Sequence, residues 1–147
     1  MHWTQLLESH QAQRHKTSRQ EIDGLRSIVI RDFDDASLAD LSADRRFAIV
    51  YNAILQLSKM AIACAGYRIT GQGHHQITFA ALPLAMGADA SHLAIYFDTC
   101  RRKRNIVDYD CAETVTDTEA AELIGKAAEF EEQVEAWITM HHPGLAR

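Results

Sequence analysis

The chain has 147 residues, 47% apolar and 24% charged, with a net charge of −5. That length supports one domain, 1–147, with a real core, and the acidic balance excludes binding of nucleic acid across the whole surface. Cys64, Cys100 and Cys111 show no C-x-x-C spacing and read as reduced thiols, two of them in or near the core. No apolar run approaches the ~18 residues of a spanning helix, and Met1-His2-Trp3-Thr4-Gln5 lacks the regions of an export signal. A cytoplasmic protein without membrane contact is expected.

Helical periodicity runs through nearly the whole chain, and strand-type alternation is scarce. Trp3, Leu6, Leu7 and His10 predict a short first helix. Ser18-Arg19-Gln20-Glu21 fits a capping box, and Ile22, Leu25, Val29 and Phe33 then share one face. A connection begins at Asp34-Asp35-Ala36-Ser37. Ser42 caps the next helix, with Asp44 favourable in its first turn. Phe47, Val50, Tyr51, Ile54, Leu57, Ala61 and Ile62 make that helix the central, most buried one, ended by Gly66. Tyr67 to Gly73 reads as a loop. A helix from about His74 to Met86 follows, and Pro83 should kink it or split it after Ala81. Asp89 or Ser91 caps the next helix. Thr116-Asp117-Thr118-Glu119 is a second capping box. Behind it, Leu123, Ala127, Phe130, Val134, Trp137 and His141 follow heptad spacing up to Pro143-Gly144. The expectation is an all-α, up-and-down bundle of about five helices.

One helix stands out for chemistry. Residues on a helix advance about 100° each, so Leu93, Phe97, Cys100 and Val107 form an apolar stripe with Arg104 in its middle. A permanent charge there must be paired or meet solvent at an interface. Arg101, Arg104, Asn105, Asp108 and Tyr109 share or border one face. A guanidinium, an amide, a carboxylate and a phenol held together suit a phosphate and a ribose hydroxyl. The same spacing also fits an Arg104–Asp108 ion pair that orders the bundle. The consecutive cations Arg101, Arg102, Lys103 and Arg104 point in different directions on a helix. They form less of a patch than the sequence suggests.

His74 and His75 open a helix after a Gly-rich loop and supply an imidazole for acid–base work or substrate binding. As neighbours they point apart, so at most one faces a given site. H-x-x-x-H, H-E-x-x-H and C-x-x-C are absent, so neither metal nor other cofactor is expected. Gly71-Gln72-Gly73 lacks the G-K-[ST] ending and the preceding strand of a phosphate loop.

Several segments in order carry a family likeness. They are Asp44-Arg45-Arg46-Phe47-Ala48-Ile49-Val50-Tyr51-Asn52-Ala53, then Ala65-Gly66-Tyr67-Arg68, Gly73-His74-His75, and Tyr96-Phe97 followed by Arg101 to Asn105 with Asp108-Tyr109. Over roughly residues 20 to 140 the chain resembles the HEPN superfamily, the higher eukaryote and prokaryote nucleotide-binding domains. The resemblance implies a helical bundle that dimerises. Many members are RNA endonucleases, including toxins of toxin–antitoxin pairs, whose motif pairs an arginine and a polar residue with a later histidine at the dimer interface. Arg104 matches the arginine and Asn105 the polar residue. Tyr109 stands where the histidine belongs, and an unperturbed phenol, with a pKa near ~10, is a poor base at neutral pH. His74 or His75 can substitute only if folding brings it beside Arg104.

The functional expectation is an RNA- or nucleotide-binding homodimer. Arg104, Asn105, Asp108 and Tyr109 form its catalytic group, Arg101, His74 and His75 bind substrate, and an antitoxin or nucleotidyltransferase is a partner. The rival is a non-enzymatic helical module for dimerisation or partner binding, in which the same charges are structural.

Overall fold

The computed structural model describes residues 1–109 and 115–147. The side chains of residues 106–109 lie outside that description. The fold is an all-α bundle with six α-helices among the described residues: α1 (Trp3–Glu8), α2 (Arg19–Ala36), α3 (Ala43–Cys64), α4 (His74–Met86), α5 (Ser91–Tyr109) and α6 (Asp117–His141). Short 3₁₀ turns at Ala88–Ala90 and Pro143–Leu145 complete it.

Side-chain caps set the starts of α2, α3 and α6. Ser42 accepts from the Arg45 N–H, and Thr116 and Glu119 form the full reciprocal box. At α2 only half of the expected box forms. Ser18 accepts from the Glu21 N–H at 3.1 Å, but the Glu21 carboxylate turns to His15 and Thr17 instead. The α2 helix also continues through Asp34 and Asp35 to Ala36, past the predicted connection.

The α3 helix is the centre of the molecule and packs against α2, α4, α5 and α6. Fourteen of its 22 residues are buried, so it is apolar nearly all round. Here the sequence expectation needs correction. By length and composition α3 is apolar enough to cross a membrane. In the fold, 78% of that apolar window is buried by neighbouring helices, as in a core helix. Aromatic rings carry the packing across the bundle. Tyr51 on α3 meets Phe79 on α4, Phe79 meets Phe97 on α5, and Phe97 meets Phe130 on α6. Their centroids are 5.9, 5.7 and 4.9 Å apart.

Two further differences are local. The predicted loop Tyr67 to Gly73 begins with a strand, β2 (Tyr67–Ile69), antiparallel to β1 (Ala12–Arg14), with Ala12 opposite Ile69 and Arg14 opposite Tyr67. Each strand has only three residues, too few to show a period in sequence. Trp3 stacks on Tyr67 with centroids 3.9 Å apart and holds α1 over this sheet. Pro83 does not split α4, which runs unbroken to Met86. Pro83 lies in the last turn, so it removes one backbone donor near the helix end, and its carbonyl accepts from the Gly87 N–H at 2.9 Å. Gly87, at φ 100°, then ends the helix in a conformation that suits glycine.

Candidate functional site at the α3–α4–α5 junction

The basic run on α5 is divided among different partners. Asp98, one turn earlier, accepts from Arg101 Nε at 2.7 Å and from Arg102 Nη2 at 3.0 Å. Those hydrogen bonds, Arg101 first, hold its carboxyl below the usual range. Lys103 reaches Glu119 on α6 at 3.3 Å. Arg104 leaves the helix in another direction. Its guanidinium carbon sits 5.2 Å from the centroid of the Tyr51 ring, a cation–π arrangement. The four cations therefore do not form one patch, as helix geometry requires.

Phe97 and Cys100 are buried on the α5 stripe and Leu93 is partly buried, so Arg104 does extend a core-facing stripe. Arg104 itself is half-buried, at the point where the stripe reaches the edge of the bundle. Of the residues expected to share its face, Asn105 is exposed and Arg101 is drawn to Asp98. Asp108 and Tyr109 belong to the last turn of α5, but their side chains lie outside the described residues, as does any Arg104–Asp108 pair.

Tyr51, read from sequence as one more apolar position, is the hub of the junction. It is 1% exposed, and its hydroxyl lies 3.2 Å from His75 Nδ1. Burial pushes its phenol up to about 12, with Arg104 and Arg101 opposing. It is therefore a neutral phenol at any physiological pH. A buried tyrosine hydroxyl needs a polar partner, and that requirement was the available sequence signal. Which helix would supply the partner was not readable.

His74 and His75 take different hydrogen-bond partners but do not point apart as expected: their ring centroids are 4.8 Å from each other. His75 turns inward to Tyr51, and His74 Nδ1 meets the Gly71 carbonyl at 3.2 Å. Burial lowers the His75 pKa to about 4, helped by His74, Arg104, Lys59 and Arg101. His75 is thus neutral at pH 7, and Arg104 is near enough to act on it. Folding brings the His75 ring into the surroundings of Arg104, with the His74 ring directly beside it.

Chemically, the junction offers a half-buried guanidinium on an aromatic face, a second guanidinium one turn away, and a neutral phenol–imidazole pair. The set can bind an anion and exchange hydrogen bonds with it. Among the described residues, no three His, Cys, Asp or Glu side chains are placed to hold a metal ion. Cys64 and Cys100 are buried free thiols, and burial pushes each up to about 11. Cys111 lies outside the described residues.

Comparison with known proteins adds no relative: the chain matches no family model, no curated protein and no solved structure.

Proposed function

We propose that this chain is a HEPN-like protein that binds RNA or a nucleotide phosphate through Arg104. The observation that supports the reading is the placement of Arg104 over the Tyr51 ring, with His75 on the Tyr51 hydroxyl. An aromatic cushion orients a guanidinium, and the planar fork matches two phosphate oxygens. Arg101 adds positive potential from the preceding turn, and exposed Asn105 is available to a ribose or base. Asp108 and Tyr109 complete the group in this reading.

Binding is favoured over cleavage. Cleavage needs a base for the 2′-hydroxyl, and an imidazole at about 4 is a weak one. In the tautomer whose Nδ1–H donates to the Tyr51 oxygen, Nε2 is bare and accepts that proton. A phosphate on Arg104 would screen one of the cations that depress His75. The toxin-type ribonuclease reading therefore rests on His75, in the role the motif gives to a histidine.

The protein acts as a homodimer in this reading. Between α4 and α5 runs a groove of about 530 Å³ whose lining includes Pro83, Ala94 and Ile95, and Ile95 is 69% exposed. This face is adjacent to the basic run and suits a second copy. The non-enzymatic module has one observation in its favour: Asp98 and Glu119 already engage three of the four consecutive cations.

Fluorescence polarisation with a labelled single-stranded RNA tests the proposal. Wild-type protein should bind, and Arg104→Ala should weaken binding at least about tenfold, the loss of one charge-assisted contact. Arg104→Lys should be nearly as weak, because it keeps the charge but loses the fork. Expression in cells with and without Arg104→Ala, read by growth and RNA integrity, tests cleavage. Purified wild-type dimer that neither binds nor cleaves RNA overturns the reading.

A further inference from the structure

The two-stranded sheet packs on the bundle through Tyr67 and Ile69, and a cleft of about 470 Å³ opens beside it. Leu25 on α2 and Ile62 and Ala63 on α3 form its apolar wall, with Ile69 on the sheet side. Its polar lining comes from His15, Glu21, Lys59, Arg68 and His74. The cleft borders the Arg104 junction through His74, whose ring lies 4.8 Å from that of His75, but Tyr51, His75 and Arg104 are not part of its lining.

The charges in this lining are unevenly satisfied. Glu21 is the only acid in it among the described residues. His15 Nε2 lies 2.9 Å from both of its carboxylate oxygens, and Thr17 donates to one. Burial would raise the Glu21 carboxyl, but the Thr17 and His15 hydrogen bonds outweigh that and keep it low. It is therefore an anion already engaged by His15 and Thr17. The side chains of Lys59 and Arg68 make no ion pair or hydrogen bond with any other described residue. The Gly71 carbonyl can only accept, so His74 donates from Nδ1 and keeps a bare Nε2 when neutral. A protein of net charge −5 thus presents two cations in the lining of this cleft, Lys59 without a paired acid and Arg68 with only a through-space attraction to Glu21.

We propose that this cleft binds a small organic phosphate, with its dianionic head between Lys59 and Arg68 and its apolar body on Leu25, Ile62 and Ala63. Two cations match a dianion better than a monocarboxylate, and a lysine point charge beside an arginine fork is a chemically suitable pair for phosphate oxygens. The volume lies within the range of ligand pockets, and an apolar wall with a few polar groups at the mouth is their usual composition. Inorganic phosphate, which lacks a body, would leave the wall wet and bind weakly. The site does not depend on the Arg104 reading.

Phenyl phosphate is the probe, followed by amide ¹H–¹⁵N shifts in the intact protein, with inorganic phosphate and phenol as head-only and body-only controls. The expected result is saturable shifts at Tyr67–Gly71, at concentrations at least about tenfold lower than either control requires. The double change Lys59→Gln with Arg68→Gln should weaken binding at least about tenfold. Both residues are exposed, so the variant keeps its fold, which circular dichroism checks. Lys126→Gln on α6 and Arg104→Ala should leave the titration unchanged. Shifts that gather on α5 around Arg101–Asn105 instead would overturn the proposal. So would an unaltered affinity in the double variant, or inorganic phosphate binding as tightly as phenyl phosphate.

Discussion

Arg26 on α2 and Arg104 on α5 both stand on helix faces that otherwise carry core side chains, and the fold treats them differently. Arg26 is enclosed, at 8% exposure. Its Nε and Nη2 donate to the two Glu135 oxygens at 2.8 and 2.9 Å, Nη1 donates to Asp23 at 2.7 Å, and Nη2 also donates to the Leu145 carbonyl at 2.6 Å. Burial alone would lower its pKa, but these carboxylates outweigh that and raise it. Arg104 is half-buried and lies on an aromatic face at the rim. The first arrangement ties α2, α6 and the C-terminal turn into one unit and leaves little of the guanidinium for a ligand. The second orients a guanidinium at an edge that a ligand can approach. A charge on an apolar stripe is therefore not by itself a functional signal. Enclosure is what separates the two cases.

The largest expected effect is on the enclosed arginine. Glu135→Ala strands a buried guanidinium and should lower stability by about 3–5 kcal/mol in chemical denaturation. Replacing both partners, Arg26→Met with Glu135→Leu, should recover most of that loss, because an apolar pair of similar volume avoids the desolvation cost. A Glu135→Ala cost below about 1 kcal/mol would erase the contrast. Arg104→Ala should cost less stability than Glu135→Ala, because its guanidinium is half-buried at the rim, while RNA binding falls at least about tenfold. If Arg104→Ala destabilised as much as Glu135→Ala and changed no binding, both arginines would be structural.

A smaller effect appears in the pH dependence. His75 is neutral in the folded state because burial, then the nearby cations, lower its pKa to about 4 from the ordinary 6.5. The unfolded chain then binds more protons between those values, so stability should fall as pH drops from about 6.5 towards 4. His75→Gln should flatten that part of the stability profile. An identical profile in the variant would mean that other groups set it.

Much of this comparison was legible in sequence on one side only. Helix α4 was read with its observed limits, and the caps Ser42 and Thr116 marked real helix starts, because capping and apolar periodicity are local. Arg104 stood out for the same reason: it interrupts a stripe on its own helix. Arg26 and Glu135 did not stand out, because their partners lie more than a hundred residues apart in the chain and a polar residue in a helix normally reads as surface. The strands β1 and β2 were missed because three residues carry no period. Tyr51 was placed in the core correctly, but spacing along α5 could not reveal a partner on α3 or α4. The one-helix cluster of Arg101, Arg104, Asn105, Asp108 and Tyr109 was a reading along the chain, whereas the junction is assembled across three helices.

The smallest expected effect is the most selective probe of that junction. Tyr51→Phe keeps the ring, so the contacts with Arg104 and Phe79 remain and only the hydroxyl is lost. His75 is half-buried, and its Nδ1 can turn to water. Stability should therefore change by about 0.5–1.5 kcal/mol, the net worth of one neutral hydrogen bond. The causes that depress His75 are burial and neighbouring cations, not this hydrogen bond. Its imidazole should thus still titrate far below the ordinary histidine value, as followed by ring-proton NMR. Arg104→Ala should do the opposite. It leaves the hydroxyl in place, removes one cation, and moves the His75 titration up towards the ordinary value. Should Tyr51→Phe move the titration and Arg104→Ala leave it alone, the electrostatic link between Arg104 and His75 fails. The histidine would then be only the partner of a buried phenol, and the catalytic part of the proposal would lose its base.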